Sequence, residues 1–133
     1  MIFSGLVKII VNDKPGLGRF RSIKLGLEQL ASGLSCMIQN IDNPFVNHEV
    51  LEALSISSEP GNVVIPLCNN YSGHPVLIGA EVWPLLLMMN NHTNLSEELK
   101  KFITIKKNVN NPNILININE PEDYRKYFGK SLS

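Results

Sequence analysis

Four short stretches carry side chains able to do chemistry. The first is Ser35-Cys36-Met37-Ile38-Gln39-Asn40-Ile41-Asp42-Asn43-Pro44. An apolar run leads to one carboxylate, and a proline two residues later cannot join a ladder. This pattern predicts a strand with Asp42 at its carboxyl tip, where ligands of open α/β sheets sit. An ionised carboxylate there accepts hydrogen bonds or holds a hard cation such as Mg²⁺. The plainer alternative is that Asp42 caps a turn. The second stretch is Gly16-Leu17-Gly18, followed by Arg19, Arg21 and Ser22. Free backbone N–H groups with charged donors beside them suit an anion. A G-x-G lacking its third glycine describes an ordinary strand-to-helix turn equally well. The third is Gly73-His74-Pro75, whose imidazole either serves a phosphate or a proton transfer, or is structural. The fourth is Asn117-Ile118-Asn119. Its two amides share one face of an extended chain and can ligate Mg²⁺, hold a substrate hydroxyl or cap the next helix.

The elements that must position these groups are visible in the hydrophobic pattern. Residues 6–11, Leu-Val-Lys-Ile-Ile-Val, read as a β-branched strand. Phe20, Ile23, Leu27, Leu30, Ala31 and Leu34 fall on one face of a helix of about three turns. Residues 36–41 form a second strand, apolar on both sides as a covered parallel strand should be. Asn47 caps a helix that turns Val50, Leu51 and Leu54 inward. Residues 63–67 are a third strand, 69–75 a turn-rich insert and 76–78 a short extended piece. Residues 81–89 can be helical because Pro84 falls in the first turn, and Asn94 caps a helix over 95–102. Strands over 103–105 and 114–118 follow. Glu120 and Pro121 open the last helix. Strands alternating with helices predict an α/β fold of three layers. Its sheet is expected to be mostly parallel, with an antiparallel edge from the later strands.

The totals narrow the function. The 133 residues suit one domain. Lys and Arg total 12 and Asp and Glu total 12, so the excess positive charge of a nucleic-acid polymer binder is missing. A single nucleotide stays open as ligand. Cys36 and Cys68 have no C-x-x-C spacing and read as reduced, buried thiols. The greasiest run, residues 82–89, is too short to cross a bilayer, and residues 1–11 show no secretory signal. A cytoplasmic protein without membrane contact is expected.

Together the stretches resemble the molybdenum-cofactor nucleotidyltransferase family, the MobA-like NTP transferases. Gly18-Arg19-Phe20-Arg21-Ser22-Ile23-Lys24-Leu25-Gly26-Leu27 resembles the segment after that family's third strand. Ile41-Asp42-Asn43-Pro44-Phe45-Val46 resembles its D-x-P motif, and Gly73-His74-Pro75-Val76-Leu77-Ile78 its G-H-P-V segment. Asn117-Ile118-Asn119-Glu120-Pro121-Glu122-Asp123-Tyr124 resembles its closing [DN]-[IV]-[DN]-T-P-E-D motif. The resemblance implies a truncated Rossmann-like fold. It also implies transfer of CMP or GMP from CTP or GTP to molybdopterin, with Mg²⁺. Asp42 and Asn119 would then be the catalytic and metal-binding pair. Arg19, Arg21 and Ser22 would lie near the nucleotide, His74 on the pterin side, and Asn117 beside the phosphates.

Two departures set further expectations. Glu120 stands where the family prefers threonine, and the family's opening L-A-A-G-x-S-x-R-[ML]-G-x-x-K is not in this sequence. Residues 1–133 are therefore expected to match the family from its third strand onward, as one domain that is weakly active or inactive alone. Residues 6–11 would lack their sheet neighbour. Either they pair with residues 36–41, or a second copy or an N-terminal portion completes the sheet. The competing reading is a non-catalytic binding or assembly module that uses the open sheet edge.

Overall fold

The computed structural model describes residues 7–129. Its sheet is shaped by two asparagines. Cys68 ends β2 (Asn62–Cys68) and Tyr71 begins β3 (Tyr71–Ser72), so Asn69 and Asn70 alone turn the chain. Both adopt positive φ, 50° and 67°, a conformation asparagine tolerates and tight hairpins require. The chain runs straight back along β2 through β3 and then β4 (Val76–Ile78). Leu67 faces Ser72, but Val64 faces Leu77, a register slip of two residues. Gly73 N still donates to Pro66 O at 3.0 Å, so the surplus pair is His74 and Pro75, joined by a cis peptide. β3 and β4 thus form one return strand, interrupted by a bulge that carries His74.

β1 (Cys36–Ile38) pairs antiparallel with β4, and β5 (Ile103–Asn108) runs parallel to β2 along its length. The expected mostly parallel sheet is corrected here: three pairings are antiparallel and one is parallel. β1, β2 and β5 do point the same way, but β4 is inserted between β1 and β2. The asparagine turn returns the chain directly, where a parallel neighbour needs a crossover connection.

Alternation along the strands builds an apolar cluster on each face of the sheet. Val63, Val76, Ile78 and Ile38 face one side. There they meet α1 (Arg19–Leu27), α3 (Trp83–Leu86) and α4 (Leu95–Leu99) through Phe20, Leu27, Trp83, Leu86 and Leu99. Val64, Cys68, Leu77 and Met37 face the other side, against Val50 and Leu54 of α2 (His48–Ile56) and against Ile114. The asparagine caps are as the sequence predicts. Asn47 Oδ1 accepts from Val50 N at 3.0 Å, and Asn94 Oδ1 accepts from Glu97 N at 2.9 Å. Cys36 and Cys68 are free thiols, and burial raises Cys36 to about 11, which keeps it protonated.

Several expected elements differ, among them the helix expected over residues 95–102, which is the shorter α4 and stops at Leu99. Residues 7–11 are not a strand, and Leu6 lies outside the described residues. Lys8 Nζ donates to Gln29 Oε1 and Asn12 Nδ2 donates to Ser22 Oγ, which lays this segment along the first helix, not β1. β1 itself ends at Ile38, three residues short of the expected Ile41. α1 stops at Leu27 and leaves Leu30 and Leu34 exposed. Gly26 weakens its last turn, and the Leu34 carbonyl accepts from Trp83 Nε1 at 2.8 Å. The helix expected over residues 81–89 is the single turn α3, with Pro84 in it. Residues 114–118 are not a strand, because Pro112–Leu115 is a 3₁₀ turn capped by Asn111 Oδ1, which accepts from Asn113 N at 3.0 Å. The last helix, α5 (Pro121–Phe128), begins with a capping box in which Glu120 N donates to Asp123 Oδ2 at 3.1 Å.

Candidate functional site

Beyond the carboxyl end of β1 the chain folds into a tight turn, with Asn43 N donating to Asn40 O at 3.1 Å. Asp42 stands in that turn and not at the strand's tip. Asn43 is 1% exposed and anchors the turn: its Nδ2 donates to Ile114 O at 2.6 Å, while its own carbonyl accepts from Gln39 Nε2. The Asp42 carbonyl accepts from Ile118 N at 2.6 Å. The closing segment is thereby stitched to the Asp42 turn, with Asn117 and Asn119 as the two neighbours of the bonded residue. Both amides are exposed. Asn119 N also donates to Asp123 Oδ2 at 3.1 Å, which ties this segment to the start of α5.

The bulge brings His74 to the same place. His74 N donates to Ile114 O at 3.4 Å, and its ring Nε2 lies 3.1 Å from Asn40 Nδ2. Asn40 Oδ1 accepts from Arg19 Nη2, so its amide nitrogen faces the ring. An amide N–H can only donate, which makes Nε2 the acceptor and places the imidazole proton on Nδ1. Burial, and then the Arg19 charge, hold His74 below its ordinary value of 6.5; the Asp42 carboxylate opposes them. A neutral ring follows from both arguments. Gly73 permits the close approach: a Cβ there would lie 2.5 Å from Ile114 O.

Arg21 and Ser22 are directed elsewhere. Arg21 Nη2 pairs with Asp13 at 3.2 Å, its Nε donates to Asn12 Oδ1 at 3.2 Å, and Ser22 Oγ accepts from Asn12. They secure the loop before α1. Gly18, at φ 99°, precedes α1 and offers no side-chain cap.

Asp42 Oδ1 is buried and has no hydrogen-bond partner among the described residues. Among the described residues no group of three or more His, Cys, Asp or Glu side chains converges. A cation here would meet one carboxylate, with the exposed Asn117 and Asn119 amides on the adjoining segment. That donor set suits Mg²⁺ completed by water and phosphate, and not zinc.

Arg19, Asn40 and His74 also border a groove of about 740 Å³. Phe20, Ile65, Leu99 and Phe102 line its floor, and Lys100 and Lys106 its rim. Sequence reasoning missed Asn40 as the link between Arg19 and His74, because that link exists only through the bulge. Lys106 had a usable signal: with Thr104 it shares one face of a period-two segment.

Fold and site together define a mixed α/β domain, with helices on both sheet faces and its polar cluster beyond the carboxyl end of β1. The chain belongs to the MobA-like NTP transferase domain family, whose model matches residues 3–109, and is thus nucleotidyltransferase-like. Asp42, His74, Arg19 and Asn40 fall within the matched residues, and Asn117 and Asn119 lie beyond them. A comparison with curated proteins finds no match. Among the described residues no helix is long and apolar enough to cross a membrane.

Proposed function

We propose that this domain holds a nucleotide through its phosphates and one Mg²⁺, for nucleotidyl transfer of the kind that joins CMP or GMP to molybdopterin. One observation carries the reading: Asp42 Oδ1 is a buried carboxylate oxygen with no hydrogen-bond partner among the described residues. An acceptor left this way costs about 1–3 kcal/mol, and more when charged, so a cation is its natural partner. Asp42 would hold the ion, with the Asn119 and Asn117 amides beside it. Bound there, Mg²⁺ would neutralise phosphate charge and align the reacting groups. Arg19 adds a second positive charge next to Asn40. Neutral His74 offers a hydrogen-bonding ring on the side away from Arg19, where the pterin would lie. Arg21 and Ser22 support the Arg19 segment through Asn12 and Asp13.

Calorimetric titration with CTP and with GTP tests this. Binding of one of them should require Mg²⁺, and Asp42→Asn should weaken it at least about tenfold, the loss of roughly 1.4 kcal/mol. Pyrophosphate release should stay at background in the same samples, because Arg19 is the one cation bonded into this cluster among the described residues. Nucleotide binding that ignores Mg²⁺ or survives Asp42→Asn undiminished contradicts the proposal.

A further inference from the structure

The groove has a chemical character of its own. Its walls are mostly apolar: Phe20, Ile65, Val76, Leu99 and Phe102 contribute the surface a ligand would lie against. Its charges are of one sign. Arg19, Lys100 and Lys106 line it, and among the described residues no carboxylate does, although the chain carries as many acids as bases. Lys100 is partly neutralised by Glu97 at 2.9 Å. Lys106, opposite Ile65 in the β2–β5 ladder, pairs with no carboxylate among the described residues. The volume lies in the range of small-molecule sites.

These features describe an amphipathic ligand. Ser72, Asn94, Ser96 and Thr104 add a few hydrogen-bonding groups to a surface that stays mainly apolar. An apolar or aromatic body gains contacts there with Phe20, Leu99 and Phe102. The positive rim then selects a body that carries an acid group. We infer that the groove binds a small amphipathic anion, an aromatic or branched apolar body bearing one phosphate or sulfonate. This assignment stands on the groove's lining and goes beyond the nucleotide reading.

Naphthyl phosphate is the probe, titrated calorimetrically into the full chain. Saturable single-site binding at least about tenfold tighter than inorganic phosphate is expected, since the ring system adds apolar burial. Lys106→Gln should weaken it about fivefold, as loss of one exposed charge contact does. If the melting temperature shows that Lys106→Gln is poorly folded, the unmodified protein gives the same information through weaker binding at higher ionic strength. Removing Mg²⁺ should leave naphthyl phosphate binding unchanged, which distinguishes this binding from the metal-dependent one even though Arg19 and His74 serve both. Naphthyl phosphate no tighter than inorganic phosphate overturns the assignment. So does binding indifferent to both Lys106→Gln and salt.

Discussion

Gly73→Ala should remove about 3 kcal/mol of stability, a large share of the ~5–15 kcal/mol of a typical domain. The added Cβ would lie 2.5 Å from Ile114 O and 2.9 Å from both its carbonyl carbon and its Cβ. None of these is the far end of a flexible side chain, so the backbone must move. Ile114 O is also the acceptor for Asn43 Nδ2 at 2.6 Å and for His74 N at 3.4 Å. Displacing it loosens the Asp42 turn and the His74 bulge together, and each lost buried hydrogen bond adds to the steric cost. Urea unfolding measures the change. Gly16→Ala is the control: nothing lies within 4 Å of that position, and a shift within about 0.5 kcal/mol is expected. Equal midpoints for Gly73→Ala and the parent protein would mean that Ile114 is not the joint described.

Asn43→Asp should be comparably severe and should reverse the pH dependence of stability. At neutral pH the introduced carboxylate would face the Ile114 carbonyl, acceptor against acceptor, and would share its turn with Asp42. An uncompensated buried charge costs about 3–5 kcal/mol. Protonated, the same group can donate to Ile114 O, so its folded pKa lies above the ~3.9 of free aspartate. Its stabilising contact is complete below that unfolded value and is lost as pH rises through the raised folded value. The parent protein behaves oppositely through His74. Burial, and next Arg19, depress the ring below its ordinary 6.5, so the unfolded chain takes up the proton first as pH falls. That contribution is full above 6.5 and declines as pH falls from 6.5 towards the lower folded value. Thermal melts across the acid range should rise with pH for the parent and fall with pH for Asn43→Asp. Parallel profiles would contradict the placement of Asn43.

Local chemistry was legible in the sequence wherever one residue decides the outcome. Asn47 and Asn94 cap the helices they precede, because a side-chain acceptor next to free N–H groups needs no tertiary help. The β-branched run of β2 was equally plain. Tertiary competition hid the rest. Residues 7–11 have strand chemistry, but Lys8 reaches Gln29 and the adjoining Asn12 reaches Ser22. Ile114 has strand chemistry too, yet its carbonyl serves Asn43 and His74. The direction of β4 turns on Asn69 and Asn70 both adopting positive φ, which a turn-rich composition alone does not specify. For the site, Asp42, His74 and Arg19 were each marked from the sequence. Asn40 joins Arg19 to His74 only once the two-residue bulge is known. Arg21 and Ser22 looked equivalent to Arg19 until their contacts with Asn12 and Asp13 separated them.

The central claim is that Asp42 and the Asn119 segment border one cation-binding cleft, and metal-dependent broadening of amide resonances tests it most directly. With Mn²⁺ in place of Mg²⁺ and nucleotide present, the amides of Asp42, Ile118, Asn119 and His74 should broaden first. Those of α2 and of the Asn69–Asn70 turn should stay sharp. Broadening that reaches Asn119 without Asp42, or that spreads evenly over exposed carboxylates such as Glu52 and Glu122, would contradict the cleft and the nucleotidyl-transfer reading built on it.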